Sequence, residues 1–298
     1  MILRRHLLKT VLALSCAALS PVAAWAAAFS SERISVKIEG EGRDVVLVPG
    51  LGSSPRVWTE LVKAVPGYRY HLVQVSGFAG YPAGGNTEGA VAAPVAEEVA
   101  RYIAQLVPHG LEKPVLIGHS MGGSIGMMVA ARHPQAISKL MVVDMFPFLG
   151  AMFGPPGTTV QSIKPMADDM LAKMRASTPE GRAQRTGAAI NSMVNNTAMR
   201  PGALDDALKS DPDVSARAYH ELITTDLMPE LKNITVPTSV LYVVPNGAPV
   251  TPEQMDGFYK MAYSGVKDIQ LKRIPASAHF IMWDQPEQFQ AEVKGFLK

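Results

Sequence analysis

Cysteine is almost missing from this chain, with one in 298 residues, Cys16. That excludes a disulfide framework and a thiolate metal cluster, and beyond residue 16 it excludes a cysteine nucleophile. Charge is sparse too: 18% of residues are charged, and 28 basic against 26 acidic side chains leave a net +2. Arg4, Arg5 and Lys9 stand in the first 26 residues without an acid, so the remainder carries about −1 and has no electrostatic pull toward nucleic acid or an anionic membrane. Long apolar runs are absent as well. Val11 to Ala18 falls short of the roughly 20 residues of a membrane span, and nothing later is long enough either, so stable insertion of the mature chain is not expected. Neither a His-Glu-x-x-His helix nor a phosphate-cradling glycine loop occurs, so neither a metal nor a cofactor is implied. Internal repeats and low-complexity tracts are missing. What remains is a chain of single-domain length with 47% hydrophobic residues, ample for a packed core.

The first 26 residues read as a targeting segment: a basic stretch, a short apolar run, then the small-x-small pattern Ala24-Trp25-Ala26. Arg4-Arg5-His6-Leu7-Leu8-Lys9 is similar to a twin-arginine export signal, the plainer reading being a secretory signal with adjacent arginines. Either implies bacterial export to the periplasm or the medium. Cys16 as a lipoprotein acylation site is disfavoured by Ala13, where Leu is usual.

Beyond it, Ile34, Val36 and Ile38 alternate as in an edge strand. Short apolar runs follow at Val45–Val48, Tyr70–Val75, Val115–Ile117, Leu140–Val143, Val240–Val244 and Ile269–Ile274, the pattern of strands buried on both faces. Helical patterns such as Val95–Val107 and Ser124–Arg132 lie between them. Strand and helix in alternation predict an α/β fold: a mostly parallel twisted sheet with helices on both faces. The rhythm breaks from Pro147 to about Pro237, where helical stretches occur without a strand. The expected organisation is therefore a core of residues 27–146 and 238–298, interrupted by a helical lid at 147–237. Met166, Met170 and Met174 share one helical face there, either packing on neighbours or lining an apolar pocket. The glycine-rich stretch Gly77–Gly89 is expected to be a flexible loop bordering that pocket.

Gly118-His119-Ser120-Met121-Gly122-Gly123 connects the Val115–Ile117 run to a helix. A sharp strand-to-helix turn needs small residues around its serine, and it lifts the hydroxyl clear of the sheet. The Met121 N–H at the helix start then faces any incoming carbonyl oxygen. In this context Ser120 is a candidate nucleophile. Here the sequence resembles the α/β-hydrolase family over most of residues 40–298. Pro49-Gly50-Leu51-Gly52 stands where that family has His-Gly-x-Gly after an early strand, which implies the Leu51 N–H as second oxyanion donor. A dinucleotide fingerprint at the same glycines is discounted, because Pro55 occupies the place of its third glycine.

A neutral serine needs an imidazole to take its proton. His279 follows the last strand across a short loop and precedes Pro286-Glu287-Gln288-Phe289, matching the family's catalytic histidine and the helix start after it. The other histidines read as structural: His133 at a helix end, His119 turned away from the hydroxyl, His71, His109 and His220 without a motif, and His6 in the leader. The family's usual acid slot, Val243 to Pro252, contains no carboxylate. Some relatives carry the acid one strand earlier, where Asp144 ends the Leu140–Val143 run. Asp144 is thus the leading acid, with Asn246, Asp256, Asp268 and Asp284 still open.

The resemblance implies a cofactor-free serine hydrolase that cleaves an ester, thioester or lactone through an acyl-enzyme, on a small-molecule substrate with an apolar acyl group. Acyl transfer or perhydrolysis by the same serine, or a non-catalytic ligand-binding homologue, are the alternatives, the last favoured by the empty acid slot. If Asp144 is the acid, Asp144→Asn lowers kcat by about 10⁴. Wild-type turnover in that variant would exclude the assignment.

Overall fold

The computed structural model describes residues 29–106 and 112–298. His6 and Cys16 of the expected targeting segment, and also His109, lie outside the described residues.

Seven strands form one sheet: β1 (Ile34–Glu39), β2 (Arg43–Val48), β3 (Tyr68–Val75), β4 (Val115–His119), β5 (Lys139–Val143), β6 (Thr238–Tyr242) and β7 (Ile269–Arg273). Their order is β1-β3-β2-β4-β5-β6-β7, and every neighbouring pair is parallel except β1 with β3. Ten α-helices accompany them among the described residues: α1 (Thr59–Ala64), α2 (Ala92–Leu106), α3 (Met121–Arg132), α4 (Val160–Arg175), α5 (Pro179–Met193), α6 (Arg200–Lys209), α7 (Pro212–Thr224), α8 (Pro252–Ala262), α9 (Ile281–Asp284) and α10 (Pro286–Leu297).

Side-chain alternation along the strands creates two cores. Val46, Val48, Leu116, Leu140, Val142 and Val240 face one side, where α2, α3 and α8 pack with Val95, Val99, Ile125, Val129 and Tyr259. Val45, Leu47, Ile117, Met141, Val143 and Leu241 face the other, covered by Trp58, Leu61, Phe289 and Val293. The runs read from sequence as doubly buried strands are so for β2 to β6. The last departs from that expectation: β7 is an edge strand whose Gln270 and Lys272 are exposed. Edge strands need only one apolar face.

Between β5 and β6 the chain runs through α4–α7 and two 3-10 turns, Leu149–Phe153 and Met228–Asn233, with no strand. Met166 and Met170 pack on a small cluster of Phe148, Ile163, Ala167 and Ile223, and Met174 is half-buried. This is the packing alternative of the two readings of that methionine face.

The Gly77–Gly89 stretch is not the loose loop expected from its glycines. Asn86 is buried and donates to the carbonyls of Arg33 and Ser76, while Arg217 of α7 donates to the carbonyls of Asn86 and Gly89. The Glu221 carboxylate accepts the N–H groups of Val91, Ala92 and Ala93 at 2.5, 2.7 and 2.8 Å. That carboxylate satisfies the unpaired donors at the start of α2 and complements the helix dipole. Backbone polar groups in a glycine-rich segment thus find side-chain partners from elsewhere in the chain, a form of order that local composition does not reveal.

At the amino-terminal end of the sheet, the fully buried His71 lies between Asp44 (Nε2 to Oδ1, 2.7 Å) and the Tyr102 hydroxyl (Nδ1, 2.7 Å). A carboxylate only accepts, so Nε2 carries the proton and Nδ1 accepts from Tyr102. Burial holds the His71 imidazole below its usual range, against the opposing pull of Asp44. A folded pKa below the unfolded one means full stability above about pH 6.5, and stability is lost as pH falls below that value, because the unfolded chain binds the proton first. Urea midpoints are accordingly expected to drop between pH 7.5 and 5, with a shallower drop in His71→Gln. The same slope in both proteins would show that His71 does not contribute.

Candidate active site

In a parallel sheet all carboxyl ends lie along one edge, the usual place for a site in this architecture. Here that edge brings together the loop after β2 (Pro49–Ser54), Ser120 after β4, Asp144 after β5 and the His279 loop after β7.

Helix α3 starts at Met121, three residues earlier than the apolar pattern suggests, so Ser120 is the single residue between β4 and the helix and also its N-cap. Its backbone sits at φ 53°, ψ −121°, a region that L-residues avoid. Two glycines make the turn possible. A Cβ on Gly118 would lie 2.0 Å from the Gly122 carbonyl oxygen, and one on Gly122 would lie 2.1 Å from that of Val48. Neither the Met121 nor the Leu51 N–H donates to another backbone carbonyl among the described residues. Gly50 lets the loop that carries Leu51 approach closely, since a Cβ there would lie 3.1 Å from the Ser120 Cβ.

Asp144 also has a positive φ, 52°, directly after β5. Its carboxylate is buried, and Oδ2 lies 2.6 Å from Nδ1 of His279. Oδ1 accepts the Val243 N–H (3.1 Å) and the Tyr259 hydroxyl (3.2 Å). The Tyr259 hydroxyl is itself kept protonated by burial and by the neighbouring Asp144 charge. Three donors from three different segments therefore meet at this carboxylate.

The other acid candidates are engaged elsewhere. Asp256 accepts from Tyr242 and Arg273. Asn246 donates to the Ser192 carbonyl and the Asn195 side chain. Asp268 precedes β7 and its carbonyl receives the N–H of Thr238 at the start of β6, which puts it at the amino-terminal end of these strands. Asp284 takes the N–H groups of Asn195, Asn196 and Ala278, tying the loop that carries His279 to the α5–α6 connection. Among these candidates, Asp144 is the one that touches His279.

His119 has a place that residue-by-residue reading missed. Its side chain does turn from the serine, but toward the His279 loop: Nε2–H donates to the His279 carbonyl at 3.0 Å, and the two rings are 4.6 Å apart. Burial, then the proximity of His279, holds the His119 imidazole well below its usual range, so it is a neutral donor. The Ser120 hydroxyl and the His279 ring share no hydrogen bond in this structure, and His119 is the direct link between their two loops. Of the remaining histidines, His133 pairs with Glu97 and His220 with Asp168. Among the described residues no group of three His, Cys, Asp or Glu side chains is placed to hold a metal, and no helix is long and apolar enough to cross a membrane.

A family model for the alpha/beta hydrolase family matches residues 45–292. A pimeloyl-[acyl-carrier protein] methyl ester esterase from Pectobacterium atrosepticum is 24% identical over 262 residues, spanning 87% of this chain and 96% of that protein. Among solved structures, an enol-lactonase from Burkholderia xenovorans superposes with a TM-score of 0.70 at 20% identity, over 89% of this chain and 96% of the other. An esterase from Exiguobacterium antarcticum gives 0.71 at 20% identity, over 89% and 95%.

The contacts around the turn make its glycines irreplaceable. Gly122→Ala is expected to destabilise the protein by about 3 kcal/mol or more, because the added methyl meets backbone rather than a side chain that can move. Gly187→Ala, whose Cβ would meet nothing within 4 Å in α5, should be neutral or stabilising by about 1 kcal/mol. Urea unfolding of the two variants checks this, and equal midpoints would contradict it.

Proposed function

Since the chain belongs to the alpha/beta hydrolase family, we propose that it is an exported serine hydrolase that cleaves carboxylic esters through an acyl-enzyme. The observation that carries this reading is the 2.6 Å contact between His279 Nδ1 and the buried Asp144 carboxylate, next to the strained turn at Ser120. A carboxylate on Nδ1 fixes the tautomer that leaves Nε2 free to accept a proton, and it stabilises the imidazolium that results. With its remaining lone pairs held by Val243 and Tyr259, the carboxylate is a fixed group rather than a wandering one.

In this reading Ser120 Oγ attacks the acyl carbon while its proton passes to His279 Nε2. The carbonyl oxygen becomes an oxyanion facing the N–H groups of Leu51 and Met121. Collapse breaks the ester C–O bond, and the imidazolium protonates the departing alcohol. Water then repeats the sequence on acyl-Ser120, releasing the acid. This reading requires a Ser120 Oγ–His279 Nε2 hydrogen bond that forms with substrate in place, as catalytic contacts commonly do. The core comprises residues 27–146 and 238–298, and 147–237 is read as a helical cap over the carboxyl edge.

The ester-cleaving relatives support the bond type. The export-like residues 1–26 argue for a freely diffusing ester or lactone rather than one carried on an acyl-carrier protein, and the lack of a charged cluster in the sequence for an acyl group that is apolar. The empty acid slot, which had favoured a non-catalytic homologue, carries less weight now that Asp144 stands on the imidazole.

A panel of short- and medium-chain p-nitrophenyl esters and lactones, run with wild type and Ser120→Ala, tests the proposal. Hydrolysis of at least one substrate class is expected, falling by about 10⁶ in the variant. A fluorophosphonate should label wild type alone. Turnover that persists in Ser120→Ala would remove Ser120 from the chemistry.

A further inference from the structure

The loop that carries Leu51 leaves β2 at Val48, and its own restraint is one turn hydrogen bond, Ser53 N–H to the Gly50 carbonyl at 3.2 Å. Gly50 and Gly52 flank Leu51, and Gly52 has φ +66°. Glycines on both sides make rotation of the intervening peptide groups inexpensive. A donor that must point at one place in space cannot rely on such a loop alone, because oxyanion stabilisation depends on donors that are already oriented.

The restraint comes from α6 in the helical segment 147–237. Asp206 is 4% exposed. Its Oδ2 accepts both the Ser54 N–H (3.2 Å) and the Ser54 hydroxyl (2.5 Å), and its Oδ1 lies 3.3 Å from Nη2 of Arg56. Arg56 in turn donates to the Gly202 carbonyl at the start of α6, at 3.0 Å. One turn further along, Ser210 is buried. Its Oγ accepts the Ala79 N–H (2.8 Å) and lies 2.8 Å from the Asp206 carbonyl and 3.4 Å from the Gly52 carbonyl. Asp206 thus holds the loop at Ser54, three residues after Leu51, while the single Ser210 hydroxyl proton goes to the nearer Asp206 carbonyl and its oxygen fixes the Ala79 N–H beside the loop.

A buried carboxylate is costly unless all its partners are in place. Here the Ser54 donors and Arg56 belong to the loop and the 3-10 turn that continues it, so the cost is offset only while the loop keeps its shape. We propose that Asp206 is a positioning residue: through Ser54 it holds the Leu51 N–H in register with Met121, so that the helical segment completes the oxyanion site instead of merely covering it. This rests on the reading of Ser120 as nucleophile.

Losing an oxyanion donor outright costs about 10²–10³ in kcat, so loosening one is expected to cost about 10- to 100-fold. The chain from residue 27 on is assayed as wild type, Asp206→Ala and Asp206→Asn, with rates normalised to fluorophosphonate-titrated active sites, and as Ser120→Ala, with rates normalised to total protein. Asp206→Ala should lower kcat by that factor with KM within about threefold, and weaken a trifluoromethyl ketone inhibitor in parallel. The acidic limb of the pH–rate profile should stay in place. Asp206→Asn keeps an acceptor for Ser54 and should restore most of the rate. Should Asp206→Ala fold poorly, Ser54→Ala removes the shortest contact and is expected to lose kcat in the same direction. If kcat per titrated site stays within twofold of wild type while thermal stability falls, Asp206 is structural only and the proposal is overturned. Activity surviving in Ser120→Ala would instead overturn the reading of the site itself.

Discussion

At the carboxyl end of β4 the chain must pass from strand to helix within a residue, and the backbone is compressed there until carbonyl oxygens occupy the space of two absent side chains. Gly118 stands against the Gly122 carbonyl and Gly122 against that of Val48. Ser120 is thereby held at a positive φ that it would not adopt in a free chain, at a cost of roughly 1–3 kcal/mol. The sheet meets this cost: β4 is paired on both sides, by β2 and β5, and α3 packs behind it against Leu116 and Val142. A turn less firmly enclosed would relax. The direction of the Ser120 hydroxyl, the free N–H at the head of α3 and the seat of the β2 loop all follow from this one compression.

A second strained residue, Asp144, lies one strand away, and its Cα follows directly on Val143, the partner of His119 across the ladder. Parallel pairing in register places successive carboxyl ends side by side, so residues far apart in sequence become neighbours at one edge. The His279 loop returns over β6 to reach Asp144, and Val243 at the end of β6 gives its N–H to the same carboxylate. Three buried or half-buried carboxylates then organise the edge. Asp144 orients an imidazole, Asp284 holds the loop behind that imidazole against the α5–α6 connection, and Asp206 holds the loop opposite. Backbone N–H groups supply the donors to Asp284 and one donor each to Asp144 and Asp206, whose other partners are side chains. Fixed charge is used here to order segments that have little apolar side chain with which to order themselves.

How much of this could be read beforehand depends on whether a feature is local. The strands β2 to β6, the final helix from Pro286, the helical interval after Pro147 and the serine turn are all written in short-range periodicity and in Gly, Pro and Ser spacing. Such patterns report directly on burial and on backbone conformation. Reading Ile269–Ile274 as a plain apolar run misleads, because Gln270 and Lys272 alternate there with Ile269 and Leu271 and mark a strand with one covered face. Gly77–Gly89 misleads for another reason: glycine content describes freedom in the unfolded chain, whereas Asn86, Arg217 and Glu221 decide what is left of it after folding.

Ser120 and His279 stand out by themselves, since strand, turn and helix surround them in sequence. For the acid, sequence narrowed the field to a handful of side chains and favoured Asp144 because the customary slot was empty, but it could not weigh one against another. Only the tertiary structure separates them, by bringing β5 and the loop after β7 within hydrogen-bonding distance while committing Asp256 and Asp284 to other donors. The same holds for His119 and Asp206, whose partners lie far along the chain and leave no periodic trace. Patterns of period two or 3.6 determine elements. Contacts between the ends of elements, which carry the chemistry, are decided by how those elements pack.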